Sequence, residues 1–178
     1  MNRNGRRISK PFISIVGLGY VGLSTAVCFA HRGFNVYGID VDPRRIATVE
    51  SGKAPFFEEK LEPMLRSVLK KKLLRCGGDY KEGIGKSNFI FITVGTPSKP
   101  DGDIDLTFVK AASAEIGSAL RDTQEYRVVI VKSSVVAGTT EGTVKPIVET
   151  SSEKKCGKDF GLCANPEFLR EGTAVKDT

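Results

Sequence analysis

A chain of 178 residues, 40% hydrophobic and 27% charged, suits one folded domain with at most a fragment of a second. At that size about 70% of the unfolded surface can be buried, so a core forms without disulfide or metal staples. The formal charge of +6 is gathered largely in Arg3, Arg6, Arg7, Lys10 and the run Lys70-Lys71-Lys72; no aromatic-rich basic platform accompanies it, which argues against a nucleic-acid partner.

Residues 1–11 are polar and basic, with no apolar signal-peptide core, and read as a disordered tail. No apolar run approaches membrane-spanning length. Cys28, Cys76, Cys156 and Cys163 form no CxxC and no metal spacing with the single histidine. The expectation is a cytoplasmic protein with reduced thiols, no metal and no membrane partner.

The stretch Ile13–Asp40 follows. An apolar run, Ile13-Ser14-Ile15-Val16, ends at Gly17-Leu18-Gly19-Tyr20-Val21-Gly22; a helical segment and a second apolar run, Val36–Ile39, lead to Asp40. This is the sequence form of strand, tight turn, helix, strand. Gly17 lets the chain turn off the strand, Gly19 clears space for a pyrophosphate, and Gly22 lets helix and strand pack closely. The N–H groups opening the helix attract phosphate. Asp40, about 20 residues on, is placed to accept from the adenosine ribose hydroxyls. A glycine-rich βαβ unit without ligand is the bland alternative. Cys28 reads as a small buried hydrophobe. His31-Arg32-Gly33 reads as a helix end with a glycine cap, which is also the role given to His31.

Asp42 can cap a new helix with Pro43 in its first turn. The acid at Asp40 favours NAD; Arg44 and Arg45 nearby leave room for NADP, and the balance falls to NAD. Leu61, Met64, Leu65, Val68 and Leu69 mark an amphipathic helix. Leu73-Leu74-Arg75 reads as a short strand, and 79–88 as a polar helix or loop. Phe89–Val94 is a continuous apolar run suited to a central parallel strand buried on both faces. The Gly95-Thr96-Pro97 turn after it would sit at the carboxyl end of the sheet, so Thr96 falls beside the cofactor or is only part of a turn.

Asp105 then caps a helix over Leu106–Leu120, with Phe108, Val109, Ala112, Ile116 and Leu120 as its apolar positions. Val128–Val131 is another strand. Ser133 and Ser134 at its tip form either an active-site edge or the cap of a helix over Thr139–Thr150, which Lys145-Pro146 would kink or shorten. Phe160–Ala164 is the last strand, followed by Asn165-Pro166-Glu167-Phe168-Leu169-Arg170-Glu171-Gly172. Strand and helix alternate about six times. The predicted fold is a Rossmann-type α/β domain over 12–178, with a doubly wound, mostly parallel sheet of about six strands and helices on both faces.

In combination these motifs resemble the nucleotide-sugar 6-dehydrogenases, which include UDP-glucose and GDP-mannose dehydrogenases. The resemblance rests on Gly17–Gly22, Asp40-Val41-Asp42, Val94-Gly95-Thr96-Pro97 with Gly102-Asp103-Ile104-Asp105-Leu106, Lys132-Ser133-Ser134, and Asn165–Gly172. It implies an enzyme of polysaccharide biosynthesis that oxidises the sugar C6 alcohol to a carboxylate with two NAD in succession. It also implies that Gly17, Gly19, Tyr20, Val21 and Gly22 hold the pyrophosphate and Asp40 the ribose, with Arg45 near the adenosine. Glu58, Thr96, Ser134 and Glu171 should line the cofactor. Glu167 and Glu171, with the Ser134 hydroxyl, should position a water and assist thioester hydrolysis. On the residues alone, Glu167 and Glu171 read as a helix-start capping pair.

Ser134 stands where the family usually has Thr, and Val135-Val136-Ala137-Gly138 lacks its usual proline. The family's nucleophilic cysteine lies in a downstream glycine-rich motif that this sequence does not contain. The resemblance therefore implies the N-terminal cofactor part of a longer enzyme, inactive alone. Its sugar nucleotide would be held with the missing C-terminal half, and the full-length form would be a homodimer. UDP-glucose is the first expectation for the substrate. GDP-mannose is the alternative, which Gly95–Lys99 and Asp159-Phe160-Gly161 resemble. A non-catalytic NAD-binding module is the reading from another class.

Overall fold

A computed structural model of the chain describes residues 10–166, 168–170 and 172–177. Residues 1–9 of the basic tail, Glu167 and Glu171 lie outside the described residues.

Six strands form one parallel sheet. They are β1 (Phe12–Val16), β2 (Asn35–Ile39), β3 (Leu74–Gly77), β4 (Phe89–Ile92), β5 (Arg127–Val131) and β6 (Phe160–Ala164). Their spatial order is β3-β2-β1-β4-β5-β6. The chain leaves β1 in one direction and returns to its other side as β4, with Ile13 facing Val36 on one flank and Phe89 on the other. The carboxyl ends of β1 and β4 therefore part company, and the crevice between them is where a doubly wound sheet receives ligands.

The helices are α1 (Tyr20–His31), α2 (Pro43–Glu50), α3 (Leu61–Lys70), α4 (Tyr80–Gly85), α5 (Thr107–Arg121), α6 (Lys145–Ser152) and α7 (Ala174–Asp177). They cover both faces of the sheet. Ile13, Ile15, Val36, Leu74 and Phe91 pack with Leu23, Val27, Leu65 and Val68 of α1 and α3. Residues of opposite parity, among them Val16, Ile39, Ile90, Ile92 and Val129, pack with Ile84, Val109, Ile116 and Val148 of α4, α5 and α6. The two-residue alternation of a strand thus feeds two cores at once. Ser14 is the polar exception in β1. Its buried hydroxyl and that of Ser87 each lie 2.8 Å from the Gly83 carbonyl and contact one another, which satisfies both and ties α4 to the central strand.

Local chemistry accounts for most boundaries. Asp42 accepts from the Arg44 N–H at 2.9 Å and starts α2. His31 and Arg32 close α1, and Gly33 turns away at φ 83°. Several boundaries differ from expectation. The first helix starts at Tyr20 rather than after Gly22. The second strand includes Asn35. The third is Leu74–Gly77. The fourth ends at Ile92, and its first residue, Phe89, is 36% exposed, so burial on both faces begins only at Ile90. Asp105 lies one residue before the cap position, which Leu106 holds; its carboxylate accepts from the Thr107 N–H at 2.8 Å, and α5 begins at Thr107.

The helix expected over Thr139–Thr150 is divided. A π-helical turn, Thr140–Val144, comes first, with the Lys145 N–H donating to the Thr140 carbonyl five residues back. A regular α-helix then begins with Pro146 in its first turn, where a missing N–H breaks no helical bond. The shortening predicted at Lys145-Pro146 takes this form.

Candidate functional site: a cleft at the carboxyl edge of the sheet

The three glycines after β1 have three different surroundings. Gly17 adopts φ 96°, and a Cβ there would stand 2.9 Å from the Thr93 carbonyl oxygen. A Cβ on Gly22 would stand 1.8 Å from the Gly17 carbonyl oxygen and 2.6 Å from Thr93 Oγ1. A Cβ on Gly19 would meet nothing within 4 Å. Two glycines are thus required by packing of the protein against itself. The third faces open space at the start of α1, beside that helix's free N–H groups. This is the cradle a pyrophosphate fits.

The space is a cleft of about 400 Å³ at the carboxyl ends of β1, β2 and β4. Gly17 and Gly19 form one rim, Asp40 and Arg45 another, and Thr93 to Gly95 a third. Asp40 is buried, and both its oxygens are in use. Oδ2 accepts from the Leu18 N–H at 2.7 Å, and Oδ1 accepts from the Asp42 N–H at 2.9 Å. Arg45 Nη1 lies 3.5 Å from Oδ2. The carboxylate therefore holds the glycine turn against the tip of β2 and retains lone pairs that can accept further hydrogen bonds.

Two parts of the cleft were not visible in the sequence motifs. Thr93 Oγ1 lies 2.9 Å from the Val16 carbonyl and 2.8 Å from the Gly17 carbonyl, which fastens β4 to the turn after β1. Phe108 was expected among the core positions of its helix but is 53% exposed and lines the cleft, with Tyr80 and Ala111. Val109, Ala112, Ile116 and Leu120 define the buried stripe, and Phe108 lies about 100° off Val109 around the helix, the signal that could have found it. Its ring makes an apolar wall suited to a flat aromatic base.

Thr96 and Ser134 do not line this cleft. They meet each other beyond it: Thr96 Oγ1 donates to the Ser134 carbonyl at 2.8 Å, joining the tips of β4 and β5. The neighbouring Ser133 hydroxyl is buried and donates to the Val94 carbonyl at 2.7 Å, a structural task. Lys132 Nζ lies 3.4 Å from Asn165 Oδ1, so the segment that carries Glu167 leaves β6 beside Lys132-Ser133-Ser134. Glu167 and Glu171 themselves lie outside the described residues.

Glu58 also stands apart from the cleft. Its carboxylate is buried, accepting from the Tyr20 hydroxyl at 2.7 Å and from the Val175 N–H at 3.0 Å. The Tyr20 hydroxyl lies equally near the Arg170 carbonyl and has one hydrogen for the two acceptors. Burial would raise the Glu58 carboxyl. Donation by Tyr20, Val175, Ala174 and Gly172 outweighs it and holds the group below its ordinary 4.5. Burial, with the Glu58 bond and charge adding to it, pushes the Tyr20 hydroxyl up to about 12. Glu58 thus pins the segment after β6 to the start of α1. Arg170 secures the same segment through Asp177 at 3.0 Å, and that bond lowers the Asp177 carboxyl to about 2.

Both acids titrate lower in the folded state, so their stabilisation is complete above the ordinary carboxylate range and is lost as pH falls through the depressed values. We expect residues 168–177 to loosen before the sheet melts when the pH drops below about 5. Melting temperature should fall less steeply with acid in Glu58→Gln than in the parent chain. Parallel curves for the two proteins would contradict this role.

Residues 12–178 match the family described as UDP-glucose/GDP-mannose dehydrogenase family, NAD binding domain. The chain belongs to this family. It is 46% identical over 165 residues to the GDP-mannose 6-dehydrogenase of Pseudomonas putida, which covers 93% of this chain and 38% of that protein. It is 39% identical over 166 residues to the UDP-glucose 6-dehydrogenase of Rhizobium meliloti, covering 93% and 36%. Among solved structures, the ternary complex of GDP-mannose dehydrogenase from Pseudomonas aeruginosa superposes with a TM-score of 0.91 at 45% identity, covering 93% of this chain and 38% of that one. The UDP-glucose dehydrogenase of Pyrobaculum islandicum gives 0.90 at 39%, covering 97% and 39%. The chain spans about two-fifths of the length of the curated relatives it matches. The family's cofactor is NAD, as the glycine turn and Asp40 led one to expect. No helix among the described residues is long and apolar enough to cross a membrane.

Proposed function

We propose that this chain is the NAD-binding part of a nucleotide-sugar 6-dehydrogenase, an enzyme that oxidises the sugar C6 alcohol to a carboxylate. The observation that carries the reading is the division of labour among Gly17, Gly19 and Gly22 beside a buried Asp40. Bound NAD would accept hydride from the sugar carbon. The chain's own residues bind and orient it. Gly19 and the N–H groups opening α1, at Tyr20 and Val21, receive the pyrophosphate. Asp40 accepts from the ribose and repels a 2′-phosphate, Arg45 flanks it, and Phe108 and Ala111 face the base. The Thr96–Ser134 pair stands farther along the carboxyl edge. That position supports a role for the pair near the reacting end of the cofactor.

The nucleophilic thiol such a reaction uses is not supplied by Cys28 or Cys76. Both are buried, and burial pushes the Cys76 thiol up to about 12, far from a reactive thiolate. Neither Cys156 nor Cys163 stands in the glycine-rich motif that the family resemblance implies, so we assign that thiol and most of the sugar-nucleotide contacts to a further part of a longer, dimeric, cytoplasmic enzyme. The identity of 46% to a GDP-mannose 6-dehydrogenase against 39% to a UDP-glucose 6-dehydrogenase favours GDP-mannose as substrate, with UDP-glucose second. A nucleotide-linked uronate would then be the product, a donor for acidic polysaccharide synthesis.

Calorimetric titration tests the cofactor reading. NAD should bind saturably and NADP at least about tenfold more weakly, a difference of about 1.4 kcal/mol. Failure of NAD to bind, or equal binding of both, would overturn it. Joined to the remainder of the enzyme, the chain should support NADH formation from GDP-mannose. Persistent inactivity in an assembled complex would favour a non-catalytic NAD-binding module.

A further inference from the structure

The opposite end of the sheet has its own cavity, of about 290 Å³, where β1, β2 and β3 begin and α4 ends. A five-residue strand separates it from the NAD cleft, about 17 Å away. Three cations line it from three different elements. Lys72 lies in the turn between α3 and β3, Arg75 lies in β3, and Lys86 follows the last residue of α4. Arg75 is paired in register with Tyr37 of β2, so the two side chains share one face of the sheet.

Among the described arginines Arg75 stands apart from most. Arg45, Arg66, Arg121, Arg127 and Arg170 each have a carboxylate within 4.0 Å. Among the described residues, Lys72, Arg75 and Lys86 have neither an ion pair nor a side-chain hydrogen bond. One acid, Glu82, lies among the residues that line the cavity, and it is engaged elsewhere: its Oε2 accepts from the buried Tyr37 hydroxyl at 2.9 Å. No ion pair joins it to the three cations, and the lining carries three positive charges against one negative. Three cations around one hollow repel one another, and an anion seated between them removes that repulsion. Asn35 adds an amide donor at the rim. Phe12, Val36 and Leu73 supply apolar walls.

We propose that this cavity is a second ligand site, which takes a diphosphate group through Lys72, Arg75 and Lys86. Arg75 offers a planar fork to two phosphate oxygens, and the two lysines offer point charges to the others. Three charges suit a diphosphate better than a monoanion. A nucleoside carried on the diphosphate would find Phe12 among the apolar residues of the lining. This site is independent of the cofactor reading, since no residue of it touches the glycine turn.

The test is a titration of the 178-residue chain with inorganic diphosphate, followed by amide chemical shifts at constant ionic strength. Residues Asn35, Arg75 and Lys86 should shift saturably, on a binding curve separate from that of Gly17 to Tyr20. Arg75→Gln, and separately Lys86→Gln, should each weaken that curve about tenfold while leaving the glycine-turn curve unchanged. GDP used in place of inorganic diphosphate identifies the source. Tighter GDP binding makes the ligand a nucleotide, and equal binding makes it the diphosphate alone; both support the site. Shifts confined to the glycine turn, shifts reproduced by sodium chloride at equal ionic strength, or curves unchanged in both variants would overturn it.

Discussion

Alanine at Gly22 is expected to prevent the domain from folding, while alanine at Gly19 should leave it folded and unable to hold NAD. The two positions are three residues apart in one turn, and the added atom is the same methyl group. At Gly22 that atom would overlap the Gly17 carbonyl oxygen at 1.8 Å and crowd the Gly17 carbonyl carbon at 2.9 Å, both backbone atoms that cannot rotate away. Overpacking usually costs about 1–3 kcal/mol where side chains can yield. Here the turn itself must move, so we expect more than about 3 kcal/mol, a large share of a domain's total stability of about 5–15 kcal/mol. At Gly19 the backbone already has φ −72° and ψ −164°, which alanine adopts freely, and the space is open. Its melting temperature should stay within about 2 °C of the parent, since a change within about 0.5 kcal/mol is expected. The methyl would stand where the pyrophosphate must approach. Loss of about 3 kcal/mol of charge-assisted N–H to phosphate bonding would weaken NAD about a hundredfold. Thermal unfolding and NAD calorimetry on both variants decide the matter. A parent-like melt for Gly22→Ala would refute the close contact, and parent-like NAD affinity for Gly19→Ala would remove Gly19 from the site.

Asp40→Asn should cost stability and cofactor discrimination together, although it changes the side chain's size hardly at all. Both carboxylate oxygens of Asp40 accept backbone N–H groups, from Leu18 and from Asp42. A carboxamide has one acceptor oxygen, so whichever way it is turned its NH2 confronts one of those donors. A buried donor left without an acceptor costs about 1–3 kcal/mol. Arg45 loses its charged neighbour as well. With the negative charge gone and Arg45 released, a 2′-phosphate is no longer repelled, and the ratio of NADP to NAD affinity should rise at least about tenfold. A lower melting temperature with an unchanged cofactor ratio would show that Asp40 only braces the turn.

Much of this was legible in the residues because the decisive features are local. Gly17, Gly19, Gly22 and Asp40 act through backbone geometry within one βαβ unit, and their spacing reports that geometry directly. The strands that feed both cores announce themselves as apolar runs such as Phe89-Ile90-Phe91-Ile92. What was hidden depends on contacts between distant segments. Thr93 reads as the last polar residue of an apolar run, and only the pairing of β4 with β1 brings its hydroxyl to the Gly17 carbonyl. Phe108 was counted with the core because an aromatic residue in an amphipathic helix usually belongs there; its position off the buried stripe puts it on the cleft wall. Glu58 was singled out through the family resemblance, but nothing local announces its bracing role. Its partners, Tyr20 and Val175, lie 38 and 117 residues away in the chain.

The placement of β1 in the middle of the sheet has a consequence for how the protein emerges from the ribosome. The first strand made acquires β2 quickly, through a single intervening helix. Its other edge pairs with β4, whose last residue is synthesised roughly fifty residues after the end of β2, a delay of several seconds at ordinary translation rates. Through that interval the nascent β1–β2–β3 layer presents an unpaired, apolar central edge, the kind of surface that draws chaperones or stray strands. The strand that later anchors the cofactor turn is thus the most vulnerable one during synthesis.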